Sequence, residues 1–469
     1  MGQTYKTPGV YVEEISNFPP SVTQVETAIP AFIGYTQQAT QKKERDLNLK
    51  PTKINSLLEY ESYFGIAQLE TSIEVSVIDD LILTTAPNQS TKSPFLMYYS
   101  MQMYFANGGG PCYIVSVGQY GASINPSLNV LFTDLDYGLK EIAKEDEPTI
   151  LTFPDAISLA NDNDFYSLFK NALMQCHDLQ NRFTIIDTYR DVDYEGKDPI
   201  ASLRNGISLD KNYLKYGAAY FPFLETVLKY TYDESKMDVT ISGNALPPSV
   251  TVKLDTLKST NNALYKKIKA KLVNLTLTLP PSSTMAGIYA LVDSNRGVWK
   301  APANVSLNYV TKPTIIITDE YQAELNLDPV TGKSINAIRK FTGKGTLVWG
   351  SRTLAGNDNE WRYIPVRRFF NMVEKSIKKA TEQFIFEPNN ANTWIRVKSM
   401  IDNFLILQWN NGALAGSKPD QAFYVRVGLG QTMSALDILE GRMIIEIGLA
   451  MVRPAEFIIY KFSQKMQET

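Results

Sequence analysis

Residues 360–390, EWRYIPVRRFFNMVEKSIKKATEQFIFEPNN, and residues 453–469, RPAEFIIYKFSQKMQET, bracket the part of the chain that decides its reading. In the first, Val366, Phe369, Phe370, Val373, Ile377, Ala380 and Phe384 recur at helical spacing and form one apolar face. Arg367, Arg368, Lys375, Lys378 and Lys379 fall on the other side, and Pro388 stops the helix. Glu374 precedes Lys378 by four positions, a pairing worth about 0.2–0.5 kcal/mol. In the second, Ile458, Tyr460 and Phe462 alternate with Phe457 and Ile459, a strand pattern with apolar side chains on both faces. Burying even four such side chains is worth about 6–10 kcal/mol, at about 1.5–3 each, before ordering costs. Such a strand at the end of a chain needs a partner, and strand addition to a neighbouring sheet edge supplies one. That need points to an assembly protein rather than an enzyme.

The other end matches it. Val10, Tyr11, Val12 and Ile15 make a β-prone segment that Pro19 and Pro20 isolate, so residues 1–20 read as an extended arm. Strands are expected at 30–34, 112–117, 149–153, 183–187 and 218–221, with helices at 56–65, 93–107 and 162–181 between them. This alternation predicts an α/β domain over 21–355, built on a parallel sheet covered on both faces. Residues 229–279 change character, with short β pieces around a lysine-rich helix at 263–273, and read as a surface insertion. Further strands are expected at 313–318 and 346–350. An α+β domain, 356–469, follows. It contains the 366–386 helix, a second helix from Asn392 to Gly412, β runs at 422–427 and 442–449, and the terminal arm 455–469.

Composition narrows the function. The 469 residues suffice for two or three domains. A net charge of −3 provides no basic field for nucleic acid, and no direct nucleic-acid partner is expected. The 26 tyrosines suit large contact surfaces, since tyrosine combines area with a polar tip. Two cysteines make no disulfide framework, and the opening MGQTYKTPGVYVEE lacks an apolar signal segment, so folding in the cytosol is expected. The apolar run 443–452 is too short to span a bilayer, and no direct membrane contact is expected.

Motifs for catalysis fail on inspection. His177 is the single histidine, late in a helix between Cys176 and Asp178, so any Ser–His–Asp or Cys–His arrangement must use a poorly placed base. One histidine and two scattered cysteines give no metal spacing. Gly332-Lys333-Ser334 resembles the end of a phosphate loop, but position 327 is Leu where the pattern requires glycine. Gly108–Gly110 follows a helix and caps it. No catalytic residue, metal ligand or cofactor is assigned.

Four blocks then coincide: TPGVYVEEI at the start, YFANGGGPCYIVSV at 104–117, LPPSSTMAGIYALVDSNRGVWKAPAN at 279–304, and residues 360–416. Together, in this order, they resemble the tail sheath proteins of contractile phage tails, R-type pyocins and extracellular contractile injection systems. The resemblance implies a subtilisin-like α/β domain without a working triad and a C-terminal domain next to an inner tube. It also implies arms that donate strands between subunits: Val10, Tyr11, Val12 and Ile15 at one end, and Phe457, Ile458, Ile459, Tyr460 and Phe462 at the other. The implied function is a structural subunit that stacks as hexameric rings around the tube and contracts to drive it through a cell envelope. The implied partners are further copies of the chain, the inner tube protein, baseplate and tail terminator or cap proteins, and paralogous sheath proteins. Assembly in the bacterial cytoplasm is implied, as part of a phage tail or a released or anchored tail-like particle. The basic residues Arg368, Lys375, Lys378 and Lys379 are the candidates for tube contact, and strands 422–427 and 442–449 for the acceptor sheet. The competing reading is a hydrolase on a subtilisin-like scaffold.

Overall fold

A computed structural model of the chain describes residues 21–78, 81–85, 87, 92–120, 129–243 and 246–459. Contacts divide it into two units, Glu26–Met372 with the segment from Arg453, and Val373–Val452 with the segment up to Val25. The division falls inside the helix Ile364–Thr381.

The strands in chain order are β1 (Pro30–Thr36), β2 (Thr52–Ile54), β3 (Glu74–Ile78), β4 (Leu81–Thr85), β5 (Cys112–Gln119), β6 (Ile150–Thr152), β7 (Phe183–Ile186), β8 (Gly217–Phe221) and β9 (Leu224–Lys229). There follow β10 (Asp238–Gly243), β11 (Leu246–Lys253), β12 (Thr276–Leu279), β13 (Val310–Pro313), β14 (Ile335–Phe341), β15 (Gly345–Trp349), β16 (Phe423–Arg426) and β17 (Glu446–Leu449). The larger unit is built on an eight-stranded sheet ordered β15-β14-β8-β7-β6-β1-β5-β2. From β14 through β5 every pairing is parallel, while β15 and β2 close the two sides antiparallel. Every residue of β1 is buried, as a central parallel strand covered on both faces requires. One apolar core lies around Phe165, Phe169 and Leu173, and a second around Tyr104, Met285 and Tyr289.

Local chemistry sets the helix limits. Ser56 accepts from the Glu59 N–H at the start of the helix Leu57–Phe64, and Gly65 ends it at φ 80°. Asn161 caps the helix Asp162–Leu179 in the same way. The expected helix at 93–107 begins only at Met97, because the Asp155 carboxylate takes the N–H groups of Leu96 and Met97 and fixes the first turn there.

Segment 229–279, read from the sequence as a surface insertion, contributes strands to two sheets. Its strands β10 and β11 join β3 and β4 in a four-stranded sheet ordered β11-β10-β3-β4, closed by the helices Leu254–Thr260 and Asn262–Leu272, whose Leu257 and Ile268 share a core with Val75, Val77 and Val239. Its last strand, β12, pairs instead with β9. The strand expected at 313–318 is displaced: β13 ends at Pro313, and Thr318 caps the helix Asp319–Asn326 by accepting from the Tyr321 N–H.

In the smaller unit the helix Ala391–Asn410 is capped by Asn390, two residues before the expected Asn392. Its buried face includes Val397, Met400, Ile401, Phe404 and Leu405, and it packs on β16. Among the described residues no helix is long and apolar enough to cross a membrane.

Candidate assembly interface

Strands β16 and β17 form an antiparallel hairpin, with Phe423 opposite Leu449 and Arg426 opposite Glu446. Phe423 and Val425 are buried, while Tyr424 and Arg426 are exposed. The Ala450 N–H donates to the Ala422 carbonyl, and the Ala450 carbonyl accepts from the Ala415 N–H, so residues 413–415 prolong the β16 side. Among the described residues no third strand joins this sheet. Unpaired strand edges are templates for another chain.

The chain then returns to the larger unit. Glu456 meets Arg352, and Tyr363 donates its hydroxyl to the same carboxylate. Immediately beyond, Phe457, Ile458 and Ile459 are 70%, 72% and 79% exposed and belong to no strand. Three consecutive apolar side chains held in water carry an unsatisfied burial demand. Val10, Tyr11, Val12, Ile15, Tyr460 and Phe462 lie outside the described residues.

The four basic candidates on the helix Ile364–Thr381 separate into two pairs. Arg368 is buried, with its guanidinium 3.0 and 2.6 Å from the two Asp293 carboxylate oxygens. It also donates to the Thr27 carbonyl at 2.9 Å and lies 4.6 Å over the Tyr289 ring. Lys375, one heptad further on the same stripe, is buried too. Lys378 and Lys379 are exposed. Sequence charge alone could not separate these pairs, because the carboxylate facing Arg368 comes from residue 293.

Two buried aspartates escaped the sequence reading. Asp155 accepts from the N–H groups of Tyr35, Leu96 and Met97, and Asp187 accepts from the Ser282 N–H at 2.8 Å. Burial pushes each carboxyl up to about 7, against the lowering effect of these hydrogen bonds. Both satisfy the orphan donors at a helix start, of Met97–Ala106 and of Ser282–Arg296 respectively. The signal for them is an aspartate just beyond a buried strand, in TFPD and TIID. His177 sits on the last turn of the helix Asp162–Leu179, with Nδ1 3.0 Å from its own neighbour Asp178 and its ring 4.5 Å from that of Tyr213. Among the described residues no group of three or more His, Cys, Asp or Glu side chains could hold a metal.

An open hairpin and an exposed apolar segment in one chain suit repeated assembly. Comparison with known proteins agrees. A sheath chain of the extracellular contractile injection system PVC, solved in the contracted state, is 31% identical, with 99% of each chain covered and a TM-score of 0.65. This chain belongs to the contractile tail sheath family. A second match is a chain of the anti-feeding prophage baseplate, solved with six-fold symmetry: it is 33% identical over 99% of this chain and 100% of that one, with a TM-score of 0.63. The family model for the phage tail sheath C-terminal domain matches residues 356–465. The tail sheath protein of Vibrio phage KVP40 is 28% identical over 127 residues, which span 27% of this sheath chain but 19% of that protein. The mixed α/β fold of the sheath chain is therefore that of solved contractile sheaths.

Proposed function

We propose that this chain is the contractile sheath subunit of a phage-tail-like injection particle. It stacks as hexameric rings around an inner tube, is held extended in a metastable state, and contracts to drive the tube through a target envelope. The observation that carries this reading is the match along 99% of the chain to a contracted injection-system sheath. The larger unit is read as a subtilisin-like scaffold without catalysis. Its single histidine faces Asp178 and Tyr213, and the buried Asp155 and Asp187 are occupied at helix starts.

The arms at 1–20 and 455–469 donate strands to neighbouring copies, and the β16–β17 hairpin accepts them. Exposure of Phe457, Ile458 and Ile459, together with the two-stranded sheet, supports this reading. Head-to-tail donation is a heterologous contact, which builds stacks and helices rather than closed dimers. Contraction needs two packings that differ by a few kcal/mol per subunit, summed over many layers. Tube contact falls to Lys378 and Lys379, while Arg368 and Lys375 act inside the subunit. The other partners in this reading are baseplate and terminator or cap proteins and paralogous sheath proteins, with assembly in the bacterial cytoplasm.

Co-expression with the particle's tube and baseplate proteins, followed by negative-stain electron microscopy, tests this. Cross-striated sleeves containing this chain are expected. Particles whose tubes remain bare would refute the reading.

A further inference from the structure

The link between Arg352 and Glu456 is built more like a socket than a surface ion pair. Arg352 Nε lies 3.0 Å from Oε1 of Glu456, and Nη2 lies 2.5 Å from Oε2. Tyr363 donates to Oε2 at 3.3 Å, and the remaining guanidinium nitrogen donates to the Asn326 carbonyl at 3.1 Å. The Arg352 side chain is 3% exposed and that of Glu456 15%. A two-pronged arginine–carboxylate contact fixes direction as well as distance.

The socket is itself braced. The Asn336 carboxamide, on β14, accepts from the Arg352 N–H at 2.7 Å and donates to its carbonyl at 2.8 Å. The same amide donates to the Ala219 carbonyl of β8 at 3.0 Å. The carboxylate of Glu456 is thereby connected through Arg352 and Asn336 to adjacent parallel strands of the eight-stranded sheet. On the other side of Glu456 the burial ends at once: Phe457, Ile458 and Ile459 are exposed. The segment borders a cleft of about 720 Å³ that is also lined by Gln322, Arg339 and Trp349.

We infer that Glu456 is a peg that anchors the root of the C-terminal segment to its own subunit, with Arg352 and Tyr363 as the socket. The donated strand begins at Phe457. Tension on residues beyond 457 enters the eight-stranded sheet through Arg352 and Asn336, rather than running back along residues 450–453 into β17. The sleeve part of this inference rests on the proposed strand donation; the peg itself does not.

Two measurements separate these parts. In the full-length chain, nitroxide labels at Ile458→Cys and Val330→Cys, both exposed sites, report the spread of distances between the segment and its own unit. The native Cys112 and Cys176 are buried and stay unlabelled. A single narrow distribution is expected, with its width at least doubled in Glu456→Ala and recovered in the swapped pair Arg352→Glu with Glu456→Arg. Glu456→Ala carries the test if changes at Arg352 perturb folding. Equal widths in parent and Glu456→Ala would overturn the peg. In particles, unlabelled Glu456→Ala is expected to cut sleeve yield at least tenfold; normal sleeves from a chain whose distances have broadened would overturn its anchoring role. If even the parent chain forms no sleeves, the sheath reading fails while the distance measurement still decides the peg.

Discussion

Arg368 and Asp293 form a buried, two-pronged ion pair, 3.0 and 2.6 Å at its two contacts, that joins the helix Ile364–Thr381 to the helix Ser282–Arg296. Thr27 donates its hydroxyl to the same carboxylate at 2.6 Å. The charge that makes Arg368 look like a surface contact in the sequence is therefore consumed inside the larger unit. Removing one member strands the other, which costs about 3–5 kcal/mol. Arg368→Ala and Asp293→Ala should each lower the stability of the isolated chain by that order in chemical denaturation. Replacing both residues with apolar ones of similar size should cost much less.

Lys378 and Lys379 behave oppositely. Both are exposed, so Lys378→Glu with Lys379→Glu should change stability by less than about 1 kcal/mol. The same double variant should fail to form sleeve on tube, as scored by electron microscopy. Normal sleeve on tube would remove these lysines from the tube contact. Lys375→Glu should instead destabilise the chain, because that side chain is buried.

Asp187 predicts a pH dependence of definite sign. Its folded carboxyl is raised to about 7, above the ordinary value of about 3.9 expected in the unfolded chain. Between these values the folded state holds a proton that the unfolded state has lost. Stability from this group is therefore fully present below about pH 4 and is lost as pH rises towards 7, by at most about 1.4 kcal/mol per pH unit. Asp187→Asn keeps an oxygen acceptor for the Ser282 N–H but cannot titrate. Chemical denaturation at pH 5 and pH 7.5 should show the native chain gaining on this variant at the lower pH.

Removal of residues 457–469 should leave a folded subunit, since Glu456 and its socket remain. Circular dichroism should be unchanged and linked sleeves absent. Removal of residues 1–15 should have the same effect. Stable sleeves from both truncated chains would exclude strand donation.

The parallel sheet was legible because its strands are short apolar runs bounded by glycine, proline and helical segments. Residues 30–36 and 112–119 show this directly as β1 and β5. The β3–β4 hairpin was not foreseen. It is completed by strands more than 150 residues later in the chain, and Val75 pairs with Val239. Strand β14 was missed for a related reason, since INAIRKF mixes polar residues that find buried partners only in three dimensions, as Asn336 does on Arg352. At the C-terminal segment, the apolar alternation at 457–459 was read as a strand to be donated; Phe457, Ile458 and Ile459 are exposed and in no strand within the subunit. Burial of Arg368 depends on a carboxylate 75 residues away and has no local signature.

Strand donation between copies is most directly tested by cross-linking mass spectrometry on sleeves assembled from equal amounts of light and heavy nitrogen-labelled chains. The account predicts cross-links between peptides of the C-terminal segment after residue 457 and peptides of the β16–β17 hairpin, with mixed-isotope pairs abundant. Sleeves in which those cross-links join only peptides of the same isotope would place the strand in its own subunit and contradict it.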